Sequence, residues 1–463
     1  MMDIKTTKDK VNDNHLNKTK KERIFGETKD RRIALLPHEA KHHMYDGVGS
    51  LATLFEGTAP IEVLRSRAIK ILDANPWLAS RLITDDRTGL PTLQIPSTPG
   101  LSPFFRTVLV NDICGKEVNT RAFLREAYIK PLSMSYADLF ARQGFKSIDA
   151  DEPLFKIRIC TGNDGKFVLL LSISHGLGDG TTLYQVGRML SLSGSIMPLQ
   201  PERIHTFSDV LAESGKYLIP GSGWLPRSVQ AEKNDKYKWL LTSSAVSSTK
   251  ESRNSVEMNI EENIHWENSP QRSDILNSGI FRVSPDWLKA QKTTFMCPGN
   301  DVQWISSTDA LTSWFMKRSG VSAGIMFVDA RGRIPGLKSS HVGNYCVAFL
   351  YYPGEFANPV TIRRSLKAFS PRCINGSQAG PGNRVAFVNN LAPHFIEYNF
   401  GLQCQQLLQF PLFPPELGCP TIFDSAMLIF HPRAGELAAG IKTSKMWDIC
   451  NDSVLEERLN PFG

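Results

Sequence analysis

A histidine and an aspartate four positions apart give the sequence its clearest chemical signature. They are His175 and Asp179 in the segment SISHGLGDG, residues 172–180, and Gly180 follows directly. A neutral imidazole has a pKa near neutrality, so His175 is suited to take a proton from a hydroxyl or an amine. Asp179 is a residue type that also caps helix N-termini. From these residues alone, His175 is either a catalytic base or a structural histidine bonded to a carbonyl.

A second candidate is the segment HEAKH at residues 38–42, which matches the zinc-protease pattern HExxH. On a helix, His38 and His42 would share one face as metal ligands, with Glu39 as the base. However, Pro37 directly precedes the motif, so it lies in the opening turn of a helix and not in its middle. A zinc metallohydrolase therefore stays an alternative, and the context favours a polar helix start without a metal.

Other catalytic signatures are missing from the sequence. It contains no GxSxG, no P-loop and no GxGxxG after a strand, which disfavours a serine hydrolase elbow, nucleotide hydrolysis and Rossmann redox chemistry. The eight cysteines include no CxxC pair and follow no framework spacing. They are typical of reduced thiols in an intracellular protein.

The elements around the His175 segment predict an α/β fold. Residues 153–174 read as a β-hairpin, with Gly-Asn-Asp-Gly at 162–165 as the turn, and its second strand delivers His175 to a strand end. A helix should begin after Asp179. Further elements follow the same alternation: a helix at 61–74, strands at 279–284, 323–330 and 344–352, and helices from Pro285 and at 308–317. Alternating strands and helices in both halves predict mixed sheets.

Length and charge suggest two domains and no nucleic-acid partner. The chain has 463 residues and a net charge of +7. Residues 1–32 hold ten basic and six acidic side chains, so this segment carries more than half of the net charge. We expect a disordered basic tail at 1–32, domains at 33–200 and 256–463, and a crossover linker at 201–255. No apolar run is long enough for a membrane span, and no secretory signal is evident, so we expect a cytoplasmic protein.

Several segments, taken in order, resemble one superfamily. ANPWLASRL at 74–82 is similar to its "PLLAGRL" segment, and the hairpin with SISHGLGDGTTLY is similar to its HxxxDG signature. ISSTDALTSWFMK at 305–317 resembles a "SxxDALxAxxW" helix, and VDARGR at 328–333 with HVGNY at 341–345 resembles "VDxRxR…YFGN". The family is the CoA-dependent acyltransferases with the HxxxD motif, which includes the BAHD enzymes, the fungal trichothecene acetyltransferases and peptide-synthetase condensation domains.

This resemblance implies two chloramphenicol-acetyltransferase-like domains with mixed sheets, joined by a long crossover. It implies acyl-CoA as a co-substrate with no permanently bound cofactor, and transfer to a hydroxyl or amine of a specialised metabolite by a monomer. His175 would be the general base, with no covalent enzyme intermediate. Asp179 would be structural, turned toward an arginine for which Arg331 is the candidate. The remaining residues carried over from the family are Gly180 as support and Asp329, Gly343 and Asn344 in the loop between the domains.

One departure from the family concerns its C-terminal DFGWG string, which this chain lacks. The corresponding region reads FDSAMLIFHPRAGELAAGIKTSKMW, residues 423–447. The donor to the thioester oxyanion, which acyl transfer needs, is therefore not assigned by the resemblance. A catalytically inactive binding module on the same fold remains a second alternative.

Overall fold

Two mixed β-sheets, a small third sheet and flanking helices make up the computed structural model. The structure describes residues 30–36, 38–40, 47–97, 114–117, 120, 123–124, 137–142, 144–208, 277–296, 302–369, 384–412, 424–443 and 445–459. The alternating run 105–110, the Ser-rich polar segment 242–255 and residues 370–383 of the segment 369–384, which the sequence predicts to be a loop, lie outside these residues.

The strands are named in chain order: β1 (Arg31–Ala34), β2 (Val48–Gly57), β3 (Arg81–Thr84), β4 (Pro91–Ile95), β5 (Cys114–Glu117), β6 (Phe155–Thr161), β7 (Lys166–Ser174), β8 (Asn277–Val283), β9 (Ala323–Asp329), β10 (Cys346–Tyr351), β11 (Val385–Asn390), β12 (Cys404–Leu412), β13 (Ser425–Phe430), β14 (Ala438–Thr443) and β15 (Leu455–Arg458). The helices are α1 (Ile61–Ala74), α2 (Gly180–Leu190), α3 (Pro285–Thr294), α4 (Ser307–Ser319), α5 (Pro353–Phe356), α6 (Pro359–Ala368) and α7 (Met446–Cys450).

The first large sheet has the order β12-β2-β7-β6-β5 and carries the predicted hairpin. β6 and β7 pair antiparallel from Phe155 opposite Ile173 to Thr161 opposite Phe167. Gly165 has a φ of +70°, which the turn chemistry of the sequence supplies at no steric cost. All residues of β7 after its first are buried, because the strand lies between β2 and β6. A central, buried strand gives the residue at its end a rigid support.

The second large sheet has the order β10-β9-β11-β13-β14-β8-β15. β9, β11 and β13 run parallel to one another, whereas the pairs β9–β10, β13–β14 and β14–β8 are antiparallel. Cys346 lies opposite Asp329 in the β9–β10 pair, so residues 330–345 form the connection between these two strands. This connection carries Arg331, Gly343 and Asn344.

The hydrophobic core joins the two sheets. One cluster packs α1 and α2 on the first sheet, a second packs α3, α4 and α6 on the second sheet, and a third combines apolar residues of both sheets. In the third cluster, Val168 and Leu170 of β7 belong together with Ile325 of β9 and Phe387 of β11. Burial of this apolar surface fixes the two sheets against each other.

Three segments lie in other structural units than the domain boundaries expected from the sequence would place them. Residues 31–32 of the expected tail belong to β1, which pairs with β4, because Ile33 of the same strand is buried in the first core cluster. Residues 201–208 of the expected linker include the buried Arg203 and Phe207. β12, within the expected C-terminal domain, pairs with β2 of the first sheet. The rest of the linker, residues 209–255, lies outside the described residues.

Among the helices that the structure describes, none combines the length and apolar character that a membrane crossing needs.

Candidate active site

His175 lies one residue beyond β7, half-buried, where the chain turns toward α2. Its backbone N–H donates to the carbonyl of Gly47 over 3.0 Å. The imidazole lies so close to Gly47 that a Cβ at this position would be 2.5 Å from Cδ2 of His175. The Ser174 hydroxyl accepts a hydrogen bond from the Gly176 N–H over 3.3 Å. The Ser174 side chain therefore stabilises the turn. It points to the face of the strand opposite to His175, because neighbouring residues of a strand alternate between faces.

Asn344, in the β9–β10 connection, contacts both the ring and the backbone of His175. Its Oδ1 lies 3.0 Å from Nδ1 of His175, and its Nδ2 donates to the His175 carbonyl over 2.5 Å. The same Nδ2 and the backbone N–H of Asn344 donate to Oε1 of Glu39 over 3.1 Å and 2.8 Å. The resemblance placed Asn344 in the loop between the domains without predicting these contacts.

Asp179 is buried and turned away from the imidazole. One carboxylate oxygen accepts hydrogen bonds from the N–H and the hydroxyl of Thr182, both over 3.0 Å, so Asp179 is the N-cap of α2. The other oxygen accepts from the backbone N–H of Tyr345 over 3.1 Å. Burial alone would raise the pKa of Asp179, but the Arg331 guanidinium and these hydrogen bonds hold it below its ordinary value. The residue is thus a charged structural acceptor.

Arg331 meets Asp179 with two nitrogens. The distances are 2.9 Å from Nη1 to Oδ2 and 3.1 Å from Nη2 to Oδ1, the bidentate geometry that makes guanidinium–carboxylate pairs strong. Nη1 also donates to Asp329 over 3.0 Å, and Nε and Nη2 donate to the carbonyls of His341 and Gly343. Although burial works against the charge, Asp179 and Asp329 raise the pKa of Arg331. This network fixes the β9–β10 connection to the start of α2.

The glycines of the two loops differ in how strictly the geometry requires them. Gly343 has a φ of +136°, and a Cβ there would lie 3.1 Å from the guanidinium carbon of Arg203. A Cβ at Gly178 would lie 2.8 Å from Thr182. A Cβ at Gly180 would make only an ordinary contact of 3.6 Å with Leu391, so the local packing gives no steric reason for glycine at this position.

Glu39 and Arg203 form a buried ion pair next to this network that the sequence did not reveal. Nε of Arg203 lies 2.8 Å from Oε2 of Glu39, and the two side chains are 1% and 0% exposed. Arg203 also donates to the carbonyls of Val342 and Leu177 over 2.9 Å and 3.2 Å. The pair joins three segments far apart in sequence, and no local pattern marks such a contact.

The HExxH alternative finds no support in these contacts. Oε2 of Glu39 accepts from Arg203 and from the Leu36 N–H, and Oε1 accepts from Asn344, so the carboxylate has no oxygen turned to a metal-bound water. Nε2–H of His38 donates to the Asn344 carbonyl over 2.9 Å. His42 lies outside the described residues. Within the described ranges, no three side chains of metal-ligating type come together.

A basic cleft of about 880 Å³ opens at the carboxyl ends of the parallel strands β9 and β11. Four cationic side chains line its walls: Arg331, which Asp179 and Asp329 pair, and Arg333, Arg363 and Lys367. Nε of Arg363 lies 3.8 Å from Oδ2 of the buried Asp309. The guanidinium of Arg363 lies 3.8 Å from the ring centroid of Trp304, a side chain that is 54% exposed. Clefts at the carboxyl ends of parallel strands are common ligand sites, and this one has the charge to hold an anion.

No protein-family model matches the sequence, and no curated protein matches it either. Solved structures do match. TRI101 of F. sporotrichioides, solved with coenzyme A and T-2, covers 91% of this chain and 97% of its own, with a TM-score of 0.57 at 15% identity. TRI101 of F. graminearum, solved with coenzyme A and T-2 mycotoxin, covers 91% and 98%, with a TM-score of 0.56 at 12% identity.

The first condensation domain of the CDA synthetase covers 89% of this chain and 90% of its own, with a TM-score of 0.50 at 12% identity. At such identities the likeness concerns the fold, and it confirms the fold that the ordered motifs predicted. The chain has the two-domain chloramphenicol-acetyltransferase-like fold that TRI101 and the condensation domain share.

Proposed function

We propose that this protein is an acyltransferase that moves an acyl group from acyl-CoA to a hydroxyl or amine of a small specialised metabolite. The observation that carries the proposal is the setting of His175. The residue stands at the end of a buried central strand, half-exposed, with Nδ1 against Asn344 and with no partner at Nε2 among the described residues. An imidazole held in this way can accept a proton through Nε2.

In the proposed reaction, Nε2 of His175 takes the proton of the acceptor hydroxyl or amine as its oxygen or nitrogen attacks the thioester carbonyl. The tetrahedral intermediate then expels the thiolate of CoA, and the protonated imidazole returns the proton to that sulfur. The acceptor gains the acyl group, free CoA leaves, and no bond forms between the acyl group and the enzyme. Asp179 and Arg331 hold the His175 loop in place and do not touch the reacting atoms.

The basic cleft is our candidate site for the phosphates of the donor. Coenzyme A carries a diphosphate and a ribose phosphate, which match the cationic side chains Arg333, Arg363 and Lys367 of this wall. Arg363→Ala should raise KM for the donor several-fold with little change in kcat, because the guanidinium would bind substrate and transition state alike. Arg87→Ala, at an exposed position outside the cleft, is the matched control. An equal effect of both variants would remove the cleft from the proposal.

Two measurements test the function itself. Thiol release is followed with a panel of acyl-CoAs and simple alcohol and amine acceptors, and products formed in an extract of the producing organism are identified by mass spectrometry. We expect acceptor-dependent thiol release together with a product heavier by the acyl group. Donor binding without thiol release across the panel would favour the alternative of an inactive binding module.

A further inference from the structure

The carboxylate of Glu39 lies two hydrogen bonds from the imidazole of His175. Asn344 connects them, with Nδ2 donating to Oε1 of Glu39 over 3.1 Å and Oδ1 lying 3.0 Å from Nδ1 of His175. Asn344 is 2% exposed and Glu39 is fully buried. A charged group this close to the proposed base, within the protein interior, acts on it through a low local dielectric.

The hydrogen-bond pattern fixes which way the Asn344 amide points. Its nitrogen donates to two acceptors, the His175 carbonyl and the Glu39 carboxylate. A flipped amide would turn its oxygen toward both acceptors and lose both bonds, so Oδ1 must face the imidazole. An amide oxygen only accepts, and therefore Nδ1 of His175 must carry the proton.

Glu39 is itself held as an anion. Each of its oxygens accepts from donors: the N–H of Leu36 and the guanidinium of Arg203 at Oε2, and Asn344 at Oε1. Burial alone would raise the pKa of Glu39, but the charge of Arg203 and the hydrogen bonds keep the pKa below its ordinary value. The carboxylate thus polarises the Asn344 amide permanently toward His175.

We propose that Glu39, acting through Asn344, is a positioning residue that keeps the His175 proton on Nδ1 and so reserves Nε2 for the acceptor. The proposal rests on the function proposed above, in which His175 is the base. Glu39 would also stabilise the imidazolium formed when Nε2 takes the proton, since negative charge lies behind the ring. Arg203, the buried counter-ion, anchors Glu39 to the segments that carry Leu177 and Val342.

The direct test is the tautomer of His175 in the full-length protein. Histidine labelled with 13C and 15N reports it by NMR, because the Cδ2 and ring-nitrogen shifts differ between the two neutral forms. The His175→Ala variant assigns the signal among the ten histidines. We expect the Nδ1–H form in the wild type and a shift toward the Nε2–H form in Asn344→Ala and Glu39→Gln. A wild-type Nε2–H form, or an unchanged tautomer in both variants that fold, would overturn the proposal.

Kinetics provide a second readout that a merely structural role would not move. In Glu39→Gln we expect kcat to fall about 10- to 100-fold, the range found when the partner that orients a metal-bound histidine is removed, with donor KM within about twofold. The control is Ser425→Ala, which deletes a buried hydroxyl of β13 that bonds the Thr443 hydroxyl of β14 in the second sheet. It should lower stability and leave the tautomer and kcat unchanged.

The two proposals can fail separately. If His175 is in the Nδ1–H form but the protein transfers no acyl group, the positioning role of Glu39 is supported and the proposed reaction is refuted. If the protein transfers the acyl group but His175 carries its proton on Nε2, the proposed reaction is supported and the positioning role is refuted.

Discussion

Replacement of Asp179 by asparagine should destabilise the fold and reduce activity together. Asp179 is 3% exposed, and its two oxygens accept hydrogen bonds from Thr182, Arg331 and Tyr345. Asparagine keeps the shape but turns an NH₂ group toward donors and leaves the Arg331 charge buried without its main counter-ion. Removing one partner of a buried ion pair costs about 3–5 kcal/mol of unfolding free energy. Because the same network positions the start of α2, the His175 loop should also shift and kcat should fall.

Equilibrium unfolding in urea, followed by tryptophan fluorescence, measures the free-energy change. Arg331→Met should cost a similar amount, and the double variant should cost clearly less than the sum, because the second change removes the charge that the first one leaves unpaired. Asp329→Asn is the comparison: this carboxylate is 30% exposed and accepts from one guanidinium nitrogen and the N–H of Arg331 and from the Thr181 hydroxyl, so we expect a clearly smaller loss than for Asp179→Asn. Loss of turnover in Asp179→Asn with an unchanged unfolding curve would refute the structural role.

Three further predictions concern packing and pH. Gly47→Ala should lower kcat while the protein stays folded, because the new Cβ would lie 2.5 Å from Cδ2 of His175; normal kcat in this variant would show that the imidazole can move freely. Glu39 and Asp179 both have a lowered pKa in the folded state, so their stabilisation should be complete above about pH 4.5 and be lost as pH falls through the lowered values; urea midpoints that do not fall below pH 4 would contradict this. Burial lowers the pKa of Lys156 to about 8, so the unfolded chain binds more protons at this residue between pH 8 and 10.5, and the contribution of Lys156 to stability rises with pH in that window; Lys156→Met should therefore be more stable than the wild type by about 1–3 kcal/mol at pH 7, with a difference that shrinks as pH rises toward 10.5, and a variant less stable than the wild type at pH 7 would speak against it.

The sequence predicted well those features that depend on neighbouring residues. α1 begins and ends where its apolar spacing indicated, at Ile61 and Ala74, because one face of Leu64, Ala68 and Ile71 packs on the first sheet. The hairpin of β6 and β7 follows from turn residues and β-rich runs within some twenty positions. The N-cap of α2 and the Ser284 cap of α3 are equally local, since each side chain binds an N–H three residues later.

Contacts between distant segments were harder to predict. Glu39 contacts Arg203, 164 positions away in the sequence, and Asn344, 305 positions away. Contacts at such sequence separations produce no periodic pattern in the sequence. Arg203 was expected in a linker, since nothing local shows that its charge is buried against Glu39. β12 joins the first sheet for a similar reason: a strand pattern shows pairing ability but does not name the partner. The contact of Arg331 with Asp179 was inferred only because an ordered set of motifs resembled a known family.

Thiol release by wild type and His175→Ala, with an active acyl-CoA donor and acceptor, is the decisive test of His175 as the general base. The matched control is His205→Ala, which changes an exposed histidine outside the site. If His175 is the general base, His175→Ala should keep the wild-type unfolding curve and lose at least about 100-fold in kcat, and His205→Ala should keep full turnover. Near-wild-type turnover in folded His175→Ala would contradict the general-base role of His175.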